Sequence, residues 1–291
     1  MLLSTQTHGF NNHYDLKTTV KFLKEAGFTA YDASFFIKGA IEELIACDNY
    51  LEKAKALREY ADSIGIVCNQ SHARFPSSVG DPEKDAKIYD EIVRDMEVAS
   101  ILGAKIIVVH PKHHLFYAEN PEELFEINLE FYKSLIPYCE KFGIKVATEN
   151  MWEHNPMSYS ISRAFNSRAS EFKRLLDTID SEWIVGCVDV GHVALVGADL
   201  PSFIKTLGGK HLQALHMHDV APNSDSHVLP FTLKLDFHAI TDALAEIDYQ
   251  GDFTFEADNF FANFPLELYP EVSSFMAKVG KYFIKEIESK K

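Results

Sequence analysis

Two short apolar runs, residues 183–190 and 211–218, each end in residue types that bind divalent cations. The first closes on Asp189-x-x-His192 and the second on His216-x-His218-Asp219. Carboxylate oxygen and neutral imidazole nitrogen are the usual non-sulfur ligands of such ions. The same kind of ending recurs along the chain. His72 closes the segment after run 66–70, His110 follows 105–109, Glu149 follows 144–148 and Glu256 follows 252–255. Asp225-x-His227 stands in the polar segment after run 211–218. A lone histidine at a strand end is more often a structural residue, and a lone glutamate a solvated charge. Metal-ligand types at the ends of six runs predict one metal site.

These runs alternate with amphipathic segments. A first strand at 2–5 precedes a helix capped by Asp15 that runs to Ala26 and stops at Gly27. A strand at 28–33 is followed by an irregular stretch, 34–45, and a helix within Tyr50–Ile64. Further helices are expected at 83–102 before Gly103, at Pro121–Phe142 before Gly143, and at 169–178. The remaining ones are 199–207 with Pro201 in its first turn, Phe237–Glu246, and 266–288. Eight β/α pairs with no linker, repeat or composition shift predict a single (β/α)8 TIM-barrel domain over residues 1–291. In such a barrel the C-terminal rim of the strands collects catalytic residues.

Composition narrows the function. The chain carries 28 Lys+Arg against 43 Asp+Glu, a formal charge of −15, and no basic block. A nucleic-acid partner needs a cationic surface that displaces counterions, so none is expected. The start, MLLSTQTHGF, lacks the charged and apolar regions of a signal peptide, and no apolar stretch is long enough to span a membrane. Cys47, Cys68, Cys139 and Cys187 are scattered without a CxxC and read as free thiols of a reducing compartment. A cytoplasmic location is expected.

The chain resembles the xylose isomerase-like TIM-barrel superfamily, which holds sugar isomerases, sugar epimerases, inosose dehydratase-like enzymes and endonuclease IV. The resemblance covers nearly the whole chain. It is carried by Ser71-His72, Val109-His110, Thr148-Glu149-Asn150, Val188-Asp189-Val190-Gly191-His192, Leu215-His216-Met217-His218-Asp219, Asp225-Ser226-His227-Val228-Leu229-Pro230 and Phe255-Glu256. The ketose epimerase branch implies one divalent metal (Mn, Mg, Co or Zn) held by Glu149, Asp189, His216 and Glu256. A sugar can chelate such an ion through adjacent hydroxyl and carbonyl oxygens, and Lewis acidity then stabilises an enediolate. Glu149 and Glu256 would act as base and acid on opposite faces of the substrate carbon. His72, His110, His192, Asp225 and His227 would bind substrate or further metal, and Trp152 and Glu153 could cover the pocket. The resemblance thus implies a metal-dependent sugar or cyclitol isomerase or epimerase, with a small polyol as partner. The family's barrels often form dimers or tetramers, so a homo-oligomer is possible.

Two alternatives stay open. An inosose dehydratase-like lyase would use the same site. The endonuclease IV branch binds up to three zinc ions through His72, His110, Glu149, Asp189, His192, His216, Asp225, His227 and Glu256 in that order, all of which this chain can supply. A nuclease would need basic rim loops, and here the loops 11–14, 73–78, 150–158 and 220–225 offer only Arg74. Family members often carry a glycine pair after the position of Pro230, but this chain reads Phe231-Thr232-Leu233-Lys234-Leu235-Asp236. Without those flexible amides an unphosphorylated substrate is favoured, with Arg74 and Lys112 the remaining candidates for an anionic group. His113 and His114 read as loop residues rather than ligands. Phe253 and Phe255 are expected in barrel packing, and the three Phe in loop 259–264 on an exposed surface suited to a partner.

Overall fold

Apolar periodicity switches between two and about three and a half residues along the chain, and strands and helices follow it. In the computed structural model, which describes residues 1–35 and 40–291, the strands are β1 Leu3–Thr5, β2 Ala30–Ser34, β3 Val67–His72, β4 Ile106–Val108, β5 Lys145–Glu149, β6 Ile184–Asp189, β7 Leu212–His216 and β8 Phe253–Phe255. Each is followed by a helix: α1 Leu16–Ala26, α2 Tyr50–Ile64, α3 Pro82–Leu102, α4 Pro121–Phe142, α5 Ala169–Ile179, α6 Leu200–His211, α7 Phe237–Glu246 and α8 Tyr269–Lys290. β2 to β7 form one parallel sheet in chain order, and β1 pairs in parallel with β8. Bridges Gln6–Asp32 and Met217–Phe255 join the two pieces into a ring. The expected (β/α)8 barrel is what the chain forms.

The helices start and stop where side chains satisfy their end groups. Asp15, Asp199 and Asp236 accept hydrogen bonds from the backbone N–H of Thr18, Ser202 and Ala239. Such a cap stabilises a helix by about 1 kcal/mol. Gly103 ends α3 with φ 103°, a left-handed conformation costly for residues with a Cβ. A Cβ there would also meet Arg58 Nη1 at 1.9 Å.

Between sheet and helices lies one large apolar cluster, while the barrel interior holds a small plug of Val108, Ala147, Val185, Cys187 and Ala214. Because side chains alternate faces every two residues along a strand, the plug dictates what comes next toward the C-terminal rim. Two residues beyond Val108 is His110, beyond Ala147 is Glu149, beyond Cys187 is Asp189, and beyond Ala214 is His216. The apolar floor and the polar site are successive layers of the same inward-facing register.

The structure departs from the expected elements in several places. Of the irregular stretch 34–45, residues 36–39 lie outside the described residues, and Ala40–Ile45 is a short helix. His211 ends α6 instead of opening β7, because α6 continues past residue 207 through a break at Gly208. Two antiparallel hairpins, Trp152–His154 with Ile161–Arg163 and Asp219–Ala221 with Ser224–Val228, stand on the rim, and Val190–Leu195 is helical. α8 begins at Tyr269, with a 3-10 turn at Leu266–Leu268 before it. Phe253 and Phe255 are buried as expected, but so is Phe261, whose ring packs 4.6 Å from that of Phe10. Packing against Phe10 and against Tyr269 of α8 takes Phe261 out of the exposed aromatic surface expected for loop 259–264. Cys47, Cys68, Cys139 and Cys187 are free thiols, and no described helix is long and apolar enough to cross a membrane.

Candidate metal centre

All nine sequence-derived candidates gather at the C-terminal rim, in adjoining groups whose ligand atoms lie within 4.8 Å of one another. Glu149, Asp189, His216 and Glu256, all buried, form the central group. His72 and His110 adjoin it through Glu149, and His192, Asp225 and His227 make a separate group at the mouth. In the central group His216 Nδ1 stands 3.1 Å from Glu149 Oε1 and 2.7 Å from Glu256 Oε2. The two glutamates, from β5 and the end of β8, thus face each other across one imidazole.

Backbone carbonyls fix several rings. His72 Nδ1 donates to Ala73 O at 2.7 Å, His192 Nδ1 to Asn150 O at 2.8 Å, and His218 Nδ1 to Asp219 O at 3.3 Å. A carbonyl can only accept, so each Nδ1 carries hydrogen and Nε2 is the atom turned to the site. His72 Nε2 then lies 3.0 Å from His110 Nε2, which is 3.1 Å from Glu149 Oε2. His192 Nε2 and His227 Nε2 are each 3.1 Å from Asp225 Oδ2. Asp189 also accepts from the N–H of His192 at 2.7 Å, which caps the Val190–Leu195 helix and explains the Asp-x-x-His spacing. Asn150 exchanges two 3.0 Å hydrogen bonds with the backbone of Asp189, tying β5 to β6.

Carboxylates and imidazoles in the cluster set one another's charge. Burial alone would raise the Glu149 and Glu256 carboxyls, yet the surrounding imidazoles, His216 first, hold both well below the usual range. Burial opposes charge on His216, but Cys187, Glu256 and Glu149 push it well above its ordinary value. His192 rises to about 10 because Asp189 and Asp225 outweigh its burial. His110 goes the other way, lowered by burial. Protons on imidazoles therefore balance the buried carboxylates. A divalent ion fits the same role: the donors are carboxylates and imidazoles, and buried Asp225 Oδ1 has no hydrogen-bond partner.

Above the cluster opens a cavity of about 650 Å³, walled by Phe75, Met151, Trp152, His113, Gln6 and Asp258 among others, with no Lys or Arg in its lining among the described residues. Trp152 lies on the wall and donates to Asp225 Oδ2 at 3.1 Å. Glu153 does not cover the pocket: it accepts from the N–H of Tyr117, because the hairpin's alternation turns it away from Trp152. Arg74 is not open to an anionic substrate either, since its guanidinium is bonded to Asp95 at 2.7 and 2.8 Å and to Glu91 at 3.0 Å. Lys112 rests 5.0 Å over the ring of Phe131.

Gln6 and Asp32, both buried in the site, were not among the sequence candidates, and buried His218 appeared only within the His216-x-His218-Asp219 ending, outside the nine candidate ligands. Gln6 donates to Glu256 Oε1 at 2.9 Å, and Asp32, on β2, accepts from Gln70 at 2.9 Å. His218 binds Asp189 with its Nε2. The signal for His218 was present, since it stands two residues from His216 on the same strand face; Gln6 and Asp32 had no comparable spacing.

A family model described as xylose isomerase-like TIM barrel matches residues 20–278. The chain belongs to that family. Among curated relatives, the protein named probable endonuclease 4 of Campylobacter concisus is 29% identical over 161 residues, 51% of this chain and 53% of its own length. The chain spans about half the length of such curated relatives. Among solved xylose isomerase-like barrels, a D-tagatose 3-epimerase-like protein superposes with TM-score 0.76 at 20% identity, covering 100% of this chain and 99% of the other. The IOLI protein, solved with a zinc atom, gives 0.75 at 18% identity over 99% of both chains.

Proposed function

We propose that this chain is a divalent-metal-dependent isomerase or epimerase of an unphosphorylated sugar or cyclitol. The observation that carries the proposal is the pair Glu149 and Glu256, 3.1 and 2.7 Å from the same imidazole nitrogen of His216, beneath a cavity with room for a monosaccharide. Glu149, Asp189, His216 and Glu256 would hold the ion, which when bound supplies Lewis acidity toward adjacent hydroxyl and carbonyl oxygens. One glutamate would remove the proton next to the carbonyl, and the other, protonated, would deliver its own proton to the opposite face. Gln6 would hold Glu256 in place through its 2.9 Å hydrogen bond. A lining without Lys or Arg among the described residues, together with the engaged Arg74, favours an uncharged substrate over a sugar phosphate. Likeness to an epimerase-like barrel and to a zinc-containing one supports the same class.

The test is wash-in of solvent deuterium by the metal-loaded protein, offered ketohexoses and inososes in D2O. Deuterium should enter the carbon next to the carbonyl of at least one, and Glu149→Gln or Glu256→Gln should each abolish it. Absence of exchange with every ketose and cyclitol would overturn the proposal.

A second reading rests on a specific observation: the nine donors fall into adjoining groups with Glu149 shared, which suits a multi-zinc phosphoesterase. Elemental analysis of protein purified without chelator separates the two. About one ion per chain supports the isomerase; two or three zinc with phosphodiester hydrolysis supports the other.

A further inference from the structure

We propose that His113 is a hydroxyl-binding residue of the cavity, one that sets how tightly the polyol is held. The inference rests on the sugar or cyclitol reading above and extends it to a residue outside the ligand groups.

His113 lines the cavity, yet its Nδ1 is buried and without a hydrogen-bond partner. That sets it apart from His72, His192 and His218, whose Nδ1 atoms all donate to backbone carbonyls. It belongs to none of the metal-ligand groups found among the described residues. A desolvated ring nitrogen with no partner costs stability, so a chain free to relax would turn it outward.

The surrounding tract prevents that. Asn128, fully buried on α4, accepts from the N–H of Lys112 at 2.7 Å and donates to its carbonyl at 2.8 Å. Ser77 donates to His110 O at 2.7 Å, and His114 is joined to Ser78 Oγ at 2.6 Å. The residues on both sides of His113 are clamped, and the ring is held at the cavity wall.

Its chemistry there suits a hydroxyl. Burial, reinforced by His110, His114 and His192, pushes His113 down to about 4, so the ring is uncharged at neutral pH. No carboxylate is among the groups that shift it. A neutral imidazole has one donor nitrogen and one acceptor nitrogen, and a sugar hydroxyl can meet either. Nδ1 is the buried nitrogen, which leaves Nε2 to meet a hydroxyl of the substrate.

The experiment compares wild type, His113→Ala and His113→Gln as metal-loaded proteins. With whichever ketose or inosose shows deuterium wash-in, His113→Ala should raise KM about tenfold while kcat stays within about threefold, as expected for lost binding of a hydroxyl. His113→Gln should recover part of the loss, with metal content and melting temperature unchanged. An unchanged KM in His113→Ala, or a loss of bound metal, overturns the proposal. Xylitol, an unreactive polyol, separates this inference from the reaction itself. It is titrated into zinc-loaded protein while the His113 and His114 ring resonances are followed by NMR. A shift at His113 and none at His114, lost binding in His113→Ala, and no turnover of any sugar would sustain His113 as a polyol contact while the isomerase reading falls. No shift at His113 at saturating xylitol overturns His113 as a polyol contact.

Discussion

His218 Nε2 lies 2.9 Å from Oδ1 and 3.0 Å from Oδ2 of Asp189, a contact to both oxygens of a carboxylate in the central donor group. Its own Nδ1 is on the Asp219 carbonyl, so His218 has a single orientation available. Gly191 sits directly against this ring: a Cβ there would come within 2.1 Å of His218 Cε1 and 2.6 Å of Nε2. Residues that orient a metal-ligating carboxylate typically carry about 10–100-fold in metal affinity. Gly191→Ala is therefore expected to displace His218 and weaken metal binding by that order, and His218→Ala to do the same. Competition with a chelating dye measures it. Equal affinity in all three proteins would leave His218 without an orienting role.

Metal uptake should release protons. Without an ion, His216 and His227 are held well above their ordinary values, and His192 is at about 10, so all three are charged at neutral pH. Ligation needs a free lone pair, and the ion must displace hydrogen wherever it takes one of these nitrogens. The sign follows: affinity is lost as pH falls and gained as it rises toward those raised values, roughly tenfold per unit for each proton released. Calorimetry in two buffers of different ionisation enthalpy counts the protons. Binding with no proton release between pH 6 and 8 would contradict the charged imidazoles.

Much of this site was legible because ligands on β strands obey a period of two. Once the apolar runs were placed, each inward position beyond the barrel plug was a candidate, and His110, Glu149, Asp189 and His216 all lie there. Register was robust to errors at strand ends: β7 begins at Leu212, not His211, yet His216 keeps its place. The interactions between elements were not legible. Nothing in the local sequence says that Glu153 turns to Tyr117, or that Gln6 from β1 reaches Glu256 at the far end of the chain. The rim hairpin at 152–163 was hidden because its polar residues and Pro156 read as loop. The burial of Phe261 depended on Phe10, which the sequence does not place beside it.

Arg74 illustrates the same point and gives a stability prediction. In sequence it is a lone rim cation; in the structure it is the partner of Asp95, which is fully buried on α3 and accepts from Arg74 N, Nε and Nη2. Burial raises the Asp95 carboxyl, and the hydrogen bonds and charge of Arg74 oppose that rise. Removing one partner of a buried pair typically costs about 3–5 kcal/mol, whereas replacing both with apolar residues can be close to neutral. Arg74→Leu should therefore lower stability by about that amount in urea unfolding, and Arg74→Leu with Asp95→Leu should recover most of it. A single variant as stable as the wild type would mean the pair is not buried in solution.

Asp32 gives a prediction in which the charge itself is unfavourable. It is fully buried on β2, with Oδ1 unpartnered and Oδ2 accepting from Gln70 at 2.9 Å. Burial raises its carboxyl from 3.8 to about 6, with His216 and His72 limiting the rise. The folded protein thus holds this proton more tightly than the unfolded chain does. Asp32 then adds no penalty below pH about 4, a growing one between about 4 and 6, and a constant one above. Asp32→Asn removes the ionisation and keeps an oxygen for Gln70. In chelator-treated protein it should raise stability by about 1–3 kcal/mol at pH 8, a gain that shrinks through pH 6 and vanishes near pH 4. Urea unfolding of both proteins across that range measures the difference. A difference independent of pH would mean that Asp32 ionises in the folded barrel as readily as in the unfolded chain.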